Sequence, residues 1–176
     1  ENSLHRSDIE KLLTHTIHQN FAKIYKFANP SQRTFMALYF KRYEIAVMKE
    51  CLRRVFDKTR EGLDLSLFKD FFDRHSKLDL EKLTQANTIE EFVNSLKGTE
   101  YYSPLSKIGE EYTPLLFDYG MALDQYYFAN IWSVKDKLFK KRDLQEIIKA
   151  YGNKFDMLNL QWIYRSRRYY HMAPAD

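Results

Sequence analysis

Two histidines, one cysteine, two pairs of carboxylates and a cluster of cations and rings are the groups in this chain with chemistry to offer. His15 and His18 stand three apart, a spacing that on one helix places two imidazoles on a shared face and could let them share a metal ion. No third ligand stands near them, so two surface histidines are expected. Cys51, the single cysteine, falls in the apolar register of its segment, and packing rather than nucleophilic attack is expected of it. Glu90-Glu91 and Glu110-Glu111 could suggest acid–base work, but helix-start and loop contexts account for them, because a carboxylate near a helix start meets free amides. The run Arg165-Ser166-Arg167-Arg168-Tyr169-Tyr170 interleaves cations and rings as a single-strand nucleic-acid reader does. The same run would close a helix, its cations facing the negative dipole end and its tyrosines packing. A phosphate-cradling loop, a dinucleotide turn, Cys-x-x-Cys and His-Glu-x-x-His all have no match in the 176 residues. No catalytic residue, cofactor or metal site is therefore expected.

The elements that carry these residues read as helices. Five glycines and four prolines are too few for a turn-rich β fold, and no strand-like alternation stands out. Ile9, Leu12, Leu13, Ile17, Phe21, Ile24 and Tyr25 recur at threes and fours, the apolar stripe of a long helix. Ser7 with Glu10 makes a capping box at its start, and it should stop near Ala28. Asn29-Pro30, Ser103-Pro104 and Thr113-Pro114 each read as an N-cap followed by proline at the first helical position, where its missing N–H costs nothing. The helix after Asn29 carries Phe35, Leu38, Tyr39, Tyr43, Val47, Cys51, Leu52 and Val55, enough of its circumference to be largely buried. Gly62 ends that pattern. Shorter helices follow around Phe68, Phe71 and Phe72, over Leu78 to Ala86, and from a Thr88–Glu91 capping box to Gly98. A long helix is expected from Pro114 to about Phe139, another closing at Gly152, and a last one from about Asp156 to Tyr170.

Composition sets the outer limits. Charged residues make up 30% and hydrophobic residues 44%, a globular rather than disordered balance. No uncharged apolar run approaches the roughly 20 residues of a membrane span, and no signal peptide is expected. One cysteine fits a reducing compartment, so a soluble cytoplasmic protein is expected. A net charge of +4 tolerates nucleic acid, an anionic membrane or an acidic partner without selecting among them.

Two stretches repeat. Tyr43-Glu44-Ile45-Ala46-Val47-Met48 resembles Phe155-Asp156-Met157-Leu158-Asn159-Leu160, and Arg53 matches Arg165. Both ends share one offset, since 155 − 43 and 165 − 53 each equal 112. Upstream, Phe21-Ala22-Lys23-Ile24-Tyr25 resembles Phe128-Ala129-Asn130-Ile131-Trp132. Each copy is a long helix followed by an aromatic-acid-apolar segment expected to open a second helix, its acid facing the positive dipole end. The arginine nine positions on lies half a turn away, so its partner is expected from another helix.

The second copy, Phe155-Asp156 with Asn159 and Arg165, resembles the helix signature of the C-subunit family of the V/A-type ATPases, whose eukaryotic members are called d. The first copy departs from it, with Val47 where Asn159 stands and Glu44 for the aspartate. Leu96-Lys97-Gly98-Thr99-Glu100-Tyr101 followed by Leu105 is similar to that family's segment between repeats, Thr99 and Tyr101 being its marked positions. The resemblance runs from about Asp8 to Tyr170. It implies an all-α fold of helical domains related by an internal repeat, part of a funnel with a pseudo-threefold axis. Residues 1–57 would end one repeat domain and 58–176 form the next. It further implies a non-catalytic rotor component, peripheral on the cytoplasmic face of the membrane, coupling central-stalk proteins of the D and F type to the proteolipid ring during ATP-driven proton or sodium transport. Neither nucleic acid nor a small-molecule substrate would be a partner. The basic terminal cluster leaves a helical nucleic-acid-binding or adaptor domain as the alternative.

Overall fold

The computed structural model describes residues 5–59, 65–109 and 113–173, apart from the side chains of Ser7 and Leu67. Among the described residues every regular element is a helix: α1 (Arg6–Phe27), α2 (Pro30–Asp57), α3 (Ser66–His75), α4 (Leu80–Gln85), α5 (Ile89–Ser95), α6 (Tyr102–Ser106), α7 (Leu116–Leu138) and α8 (Lys141–Arg168). The fold is all-α, as composition and periodicity predict. Gly62 and the pair Glu110-Glu111 lie outside the described residues.

Where a helix end is decided by neighbouring residues, the sequence signal and the structure agree. Asn29 Oδ1 accepts the Gln32 amide at 2.9 Å while Gln32 Oε1 accepts the Asn29 amide at 3.0 Å, with Pro30 at the first helical position. Thr88 caps α5 by accepting the Glu91 amide at 3.1 Å. Elsewhere the ends move by a residue or two. Before α1, Asp8 reaches back to the His5 amide, and Glu10 instead pairs with Arg6 at 2.8 Å. Pro104 is the third residue of α6. α7 begins two residues past Pro114, where the Asp118 carboxylate accepts the Leu115 amide at 2.7 Å.

One expected break is absent. α8 runs unbroken from Lys141 through Gly152 to Arg168, because a glycine inside a helix costs only about 1 kcal/mol and the rings on either side of it are packed. Phe155-Asp156 therefore lies near the middle of α8 and Tyr43-Glu44 near the middle of α2. Neither acid sits at a helix start, and the expected help from the dipole is not there.

The chain divides into two compact units, Glu1–Leu123 and Asp124–Asp176, with the division inside α7. In the first unit α2 is the central element. It buries Phe40, Ile45, Met48, Cys51, Leu52 and Val55, while Phe35, Leu38, Tyr39, Tyr43 and Val47, expected inside, stay part-exposed. α1 turns inward a face offset from the one its periodicity suggests, keeping only Phe21 and, in part, Tyr25 of the predicted stripe. His18 and Phe21 are buried, and Ile9, Leu12, Leu13, Ile17 and Ile24 are exposed. The reason is the wall of rings on α3. His18 stacks on Phe71 with centroids 4.5 Å apart and meets Phe68 and Phe72 edge-on, while Phe21 meets Phe71 at 5.6 Å and Phe40 at 5.7 Å. Aromatic pairs at these separations are favourable beyond the area they bury. In the second unit Phe128 and Trp132 of α7 pack on Phe155 of α8 at 4.5 and 5.7 Å.

Candidate functional site

Of the residues singled out by motif, the structure brings three together: Glu44, Thr99 and Tyr101. Glu44 lies on the buried face of α2, 5% exposed. Across from it the chain leaves α5 through a tight reversal. Gly98, with φ +85°, takes the left-handed conformation that an L side chain rarely adopts. The Thr99 hydroxyl then donates to the Leu96 carbonyl at 2.7 Å and accepts the Tyr101 amide at 3.3 Å. This turn aims the Tyr101 ring, itself buried, at α2, and its hydroxyl donates to Glu44 Oε2.

Burial pushes the Glu44 carboxyl above its ordinary pKa, because a charged group loses its water; hydrogen bonds from Ser76 and Tyr101 pull the other way. A cavity of about 180 Å³ adjoins the pair, with Phe40, Leu78 and His75 among its walls and Lys41, Lys77 and Glu100 around it. Lys41 and Glu100 form an ion pair there. One carboxylate oxygen of Glu44, Oε2, is thus occupied by the Tyr101 hydroxyl. What the arrangement does is fasten α2 to the turn after α5 across 57 residues of sequence.

The other singled-out residues are placed differently. Tyr43 is half-buried and turns to His18, ring to ring at 4.9 Å. Arg53 is exposed and pairs with Glu50 on its own helix at 2.8 Å, and among the described residues the expected partner from another helix is not there. The clamp is its neighbour Arg54, whose guanidinium donates to the carbonyls of Thr84 and Ala86 at the end of α4. Nothing in the spacing of charges marks Arg54 over Arg53; only the position of α4 does. On α8, Phe155 packs against α7, whereas Asp156, Asn159 and Arg165 are exposed. His18, expected on the surface, is 3% exposed with neither ring nitrogen hydrogen-bonded, and burial lowers its pKa to about 4. Cys51 is buried as expected, its thiol pushed up to about 11 by desolvation. No group of three or more His, Cys, Asp or Glu placed to hold a metal occurs among the described residues.

Against known families, the model for the ATP synthase (C/AC39) subunit matches residues 1–176, the whole chain. The chain belongs to this family. It is 24% identical over 165 residues, or 90% of its length, to the C subunit of the A-type ATP synthase of Methanocaldococcus jannaschii. The chain spans about 40% of the length of that relative. No solved structure shows significant similarity to it. The C/AC39 family assignment fits the all-α architecture, and no helix among the described residues is long and apolar enough to cross a membrane.

Proposed function

We propose that this C/AC39 chain is a non-catalytic central-stalk piece of a V/A-type rotary ATPase. In this reading it lies on the cytoplasmic face of the membrane and couples D- and F-type shaft proteins to the proteolipid ring while ions, protons or sodium, are moved. The observation that carries the reading is the family match along the entire chain. Two features support it. The buried acid is engaged by a tyrosine that ties distant helices together, which suits a part that bears load. The α1–α2 and α7–α8 hairpins have matching dimensions, 22 and 28 residues against 23 and 28, each with a two-residue link. That likeness supports the repeat seen in sequence; in this reading 1–57 closes one repeat domain and 58–176 forms the next, a division by repeat distinct from the packing division inside α7.

Reconstitution tests the reading. Vesicles bearing the rotary complex would be assembled with and without the full-length protein that carries this region, and ATP hydrolysis and ion uptake measured together. Hydrolysis that persists while uptake is lost without that protein is the expected result. Unchanged uptake, or its failure to bind either the shaft or the ring, rejects the reading.

A further inference from the structure

The last turns of α8 carry a second apolar strip that stays open to solvent. Met157, Leu160, Ile163 and Tyr164 are 68%, 63%, 61% and 59% exposed, on the side of the helix away from Tyr151, Phe155 and Leu158. Tyr164 meets a ring just past the helix end, Tyr169, edge-on at 6.1 Å. Met157, Leu160 and Tyr164 follow at three and four residues, a narrow ridge of the kind that seats one facing helix. Its C-terminal part has one sign. Beyond Asp156 there is no carboxylate up to the helix end at Arg168, while Arg165, Arg167 and Arg168 are all exposed.

We propose that this strip is a docking surface for one amphipathic helix of a partner protein, its apolar ridge flanked by carboxylates. The ridge supplies the contact area, and the arginines select acidic flanks and steer the encounter. Membrane and nucleic acid fit the strip less well. Asn159 and Gln161 hem the ridge, and exposed Asp156 precedes it, whereas a helix lying in a bilayer needs a broad apolar face. Three of the four ridge side chains are aliphatic and offer no plane on which a base could stack. The inference stands on α8 alone and holds whether or not the rotary assignment does.

The test uses the 176-residue chain and a labelled helical peptide with leucines at positions 1, 4, 8 and 11 and glutamates flanking them, followed by fluorescence anisotropy. Micromolar binding is expected, at least tenfold weaker for the same peptide with lysines in place of glutamates, and weaker at high salt. Leu160→Ser with Tyr164→Ser should cost tenfold or more while the circular dichroism melt stays in place. Should that pair disturb folding, Arg167→Glu with Arg168→Glu provides the second arm: it should weaken the glutamate peptide and strengthen the lysine one. Equal binding of both peptides by the parent chain overturns the proposal, as does no binding at all. So does tighter binding of a single-stranded RNA or of phosphatidylserine vesicles that depends on the same side chains.

Discussion

Glu44 and His18 are both buried ionisable side chains of the first unit, yet they are held in opposite ways. Glu44 has a donor and His18 has none. Removing the phenol hydroxyl with Tyr101→Phe leaves a buried carboxylate short of a partner and should cost about 1–3 kcal/mol in chemical denaturation. Glu44→Gln keeps an acceptor and sheds the buried charge, so it should cost less. A Glu44→Gln loss as large as that of Tyr101→Phe would contradict the lock. His18 sets a pH response. Its folded pKa lies near 4, below the ordinary 6.5. Above 6.5 it is neutral folded or unfolded; as pH falls toward 4 only the unfolded chain gains the proton, and stability drains away. The shift corresponds to at most about 3 kcal/mol. His18→Phe removes that proton site, so its melting temperature should rise relative to the parent as pH falls from 6.5 to 4. A constant difference across that range would show that His18 does not set the acid limb.

At the scale of elements, α8 is a long helix with a glycine inside it. Apart from its chain neighbours and its own helix backbone, no atom lies within 4 Å of where a Gly152 side chain would begin, and its backbone is helical. Gly152→Ala should therefore stabilise the chain by roughly 0.5–1 kcal/mol, read as a raised denaturation midpoint; a loss would mean that the glycine answers a contact. The same residue shows what is legible in the sequence. Asn29-Pro30 and Thr88 with Glu91 specify helix starts through bonds among residues three apart, and those starts lie where the sequence places them. Gly152 carries the same kind of local stop signal, yet the helix continues, because rings on both sides of it are packed. Arg53 and Arg54 divide along the same line. Which of the two reaches α4 depends on where α4 lies, and no pattern within α2 records that. Glu44, Thr99 and Tyr101 stand out as motif positions, but their meeting does not, since it depends on the turn at Gly98 facing α2. His18 contradicts its surface reading for the same cause: its burial comes from phenylalanines about 50 residues on, which periodicity within α1 cannot see.

At the scale of the molecule, burial is unevenly shared. α2 has seven buried residues among those described and α8 has one, Tyr151. Local opening is governed by how much packing must be given up. Hydrogen exchange followed by mass spectrometry should find the slowest amides between Phe40 and Val55 and fast exchange in the last three turns of α8. Slow exchange in those turns of the isolated chain would mean that their apolar strip is already covered. An acidic helix bound there should slow them selectively, without change in α2.

Cys51 turns that unevenness into a readout. The chain has one sulfhydryl, and it is shut inside the helix with the most buried residues among those described and held in its unreactive, protonated form. An alkylating reagent in excess can reach it only when α2 lets go, so the labelling rate is a stopwatch for opening of the first unit, with no dye or tag to be introduced. Strain imposed from outside, by a neighbouring protein or by torque, would register as a change in how often that sulfur becomes visible.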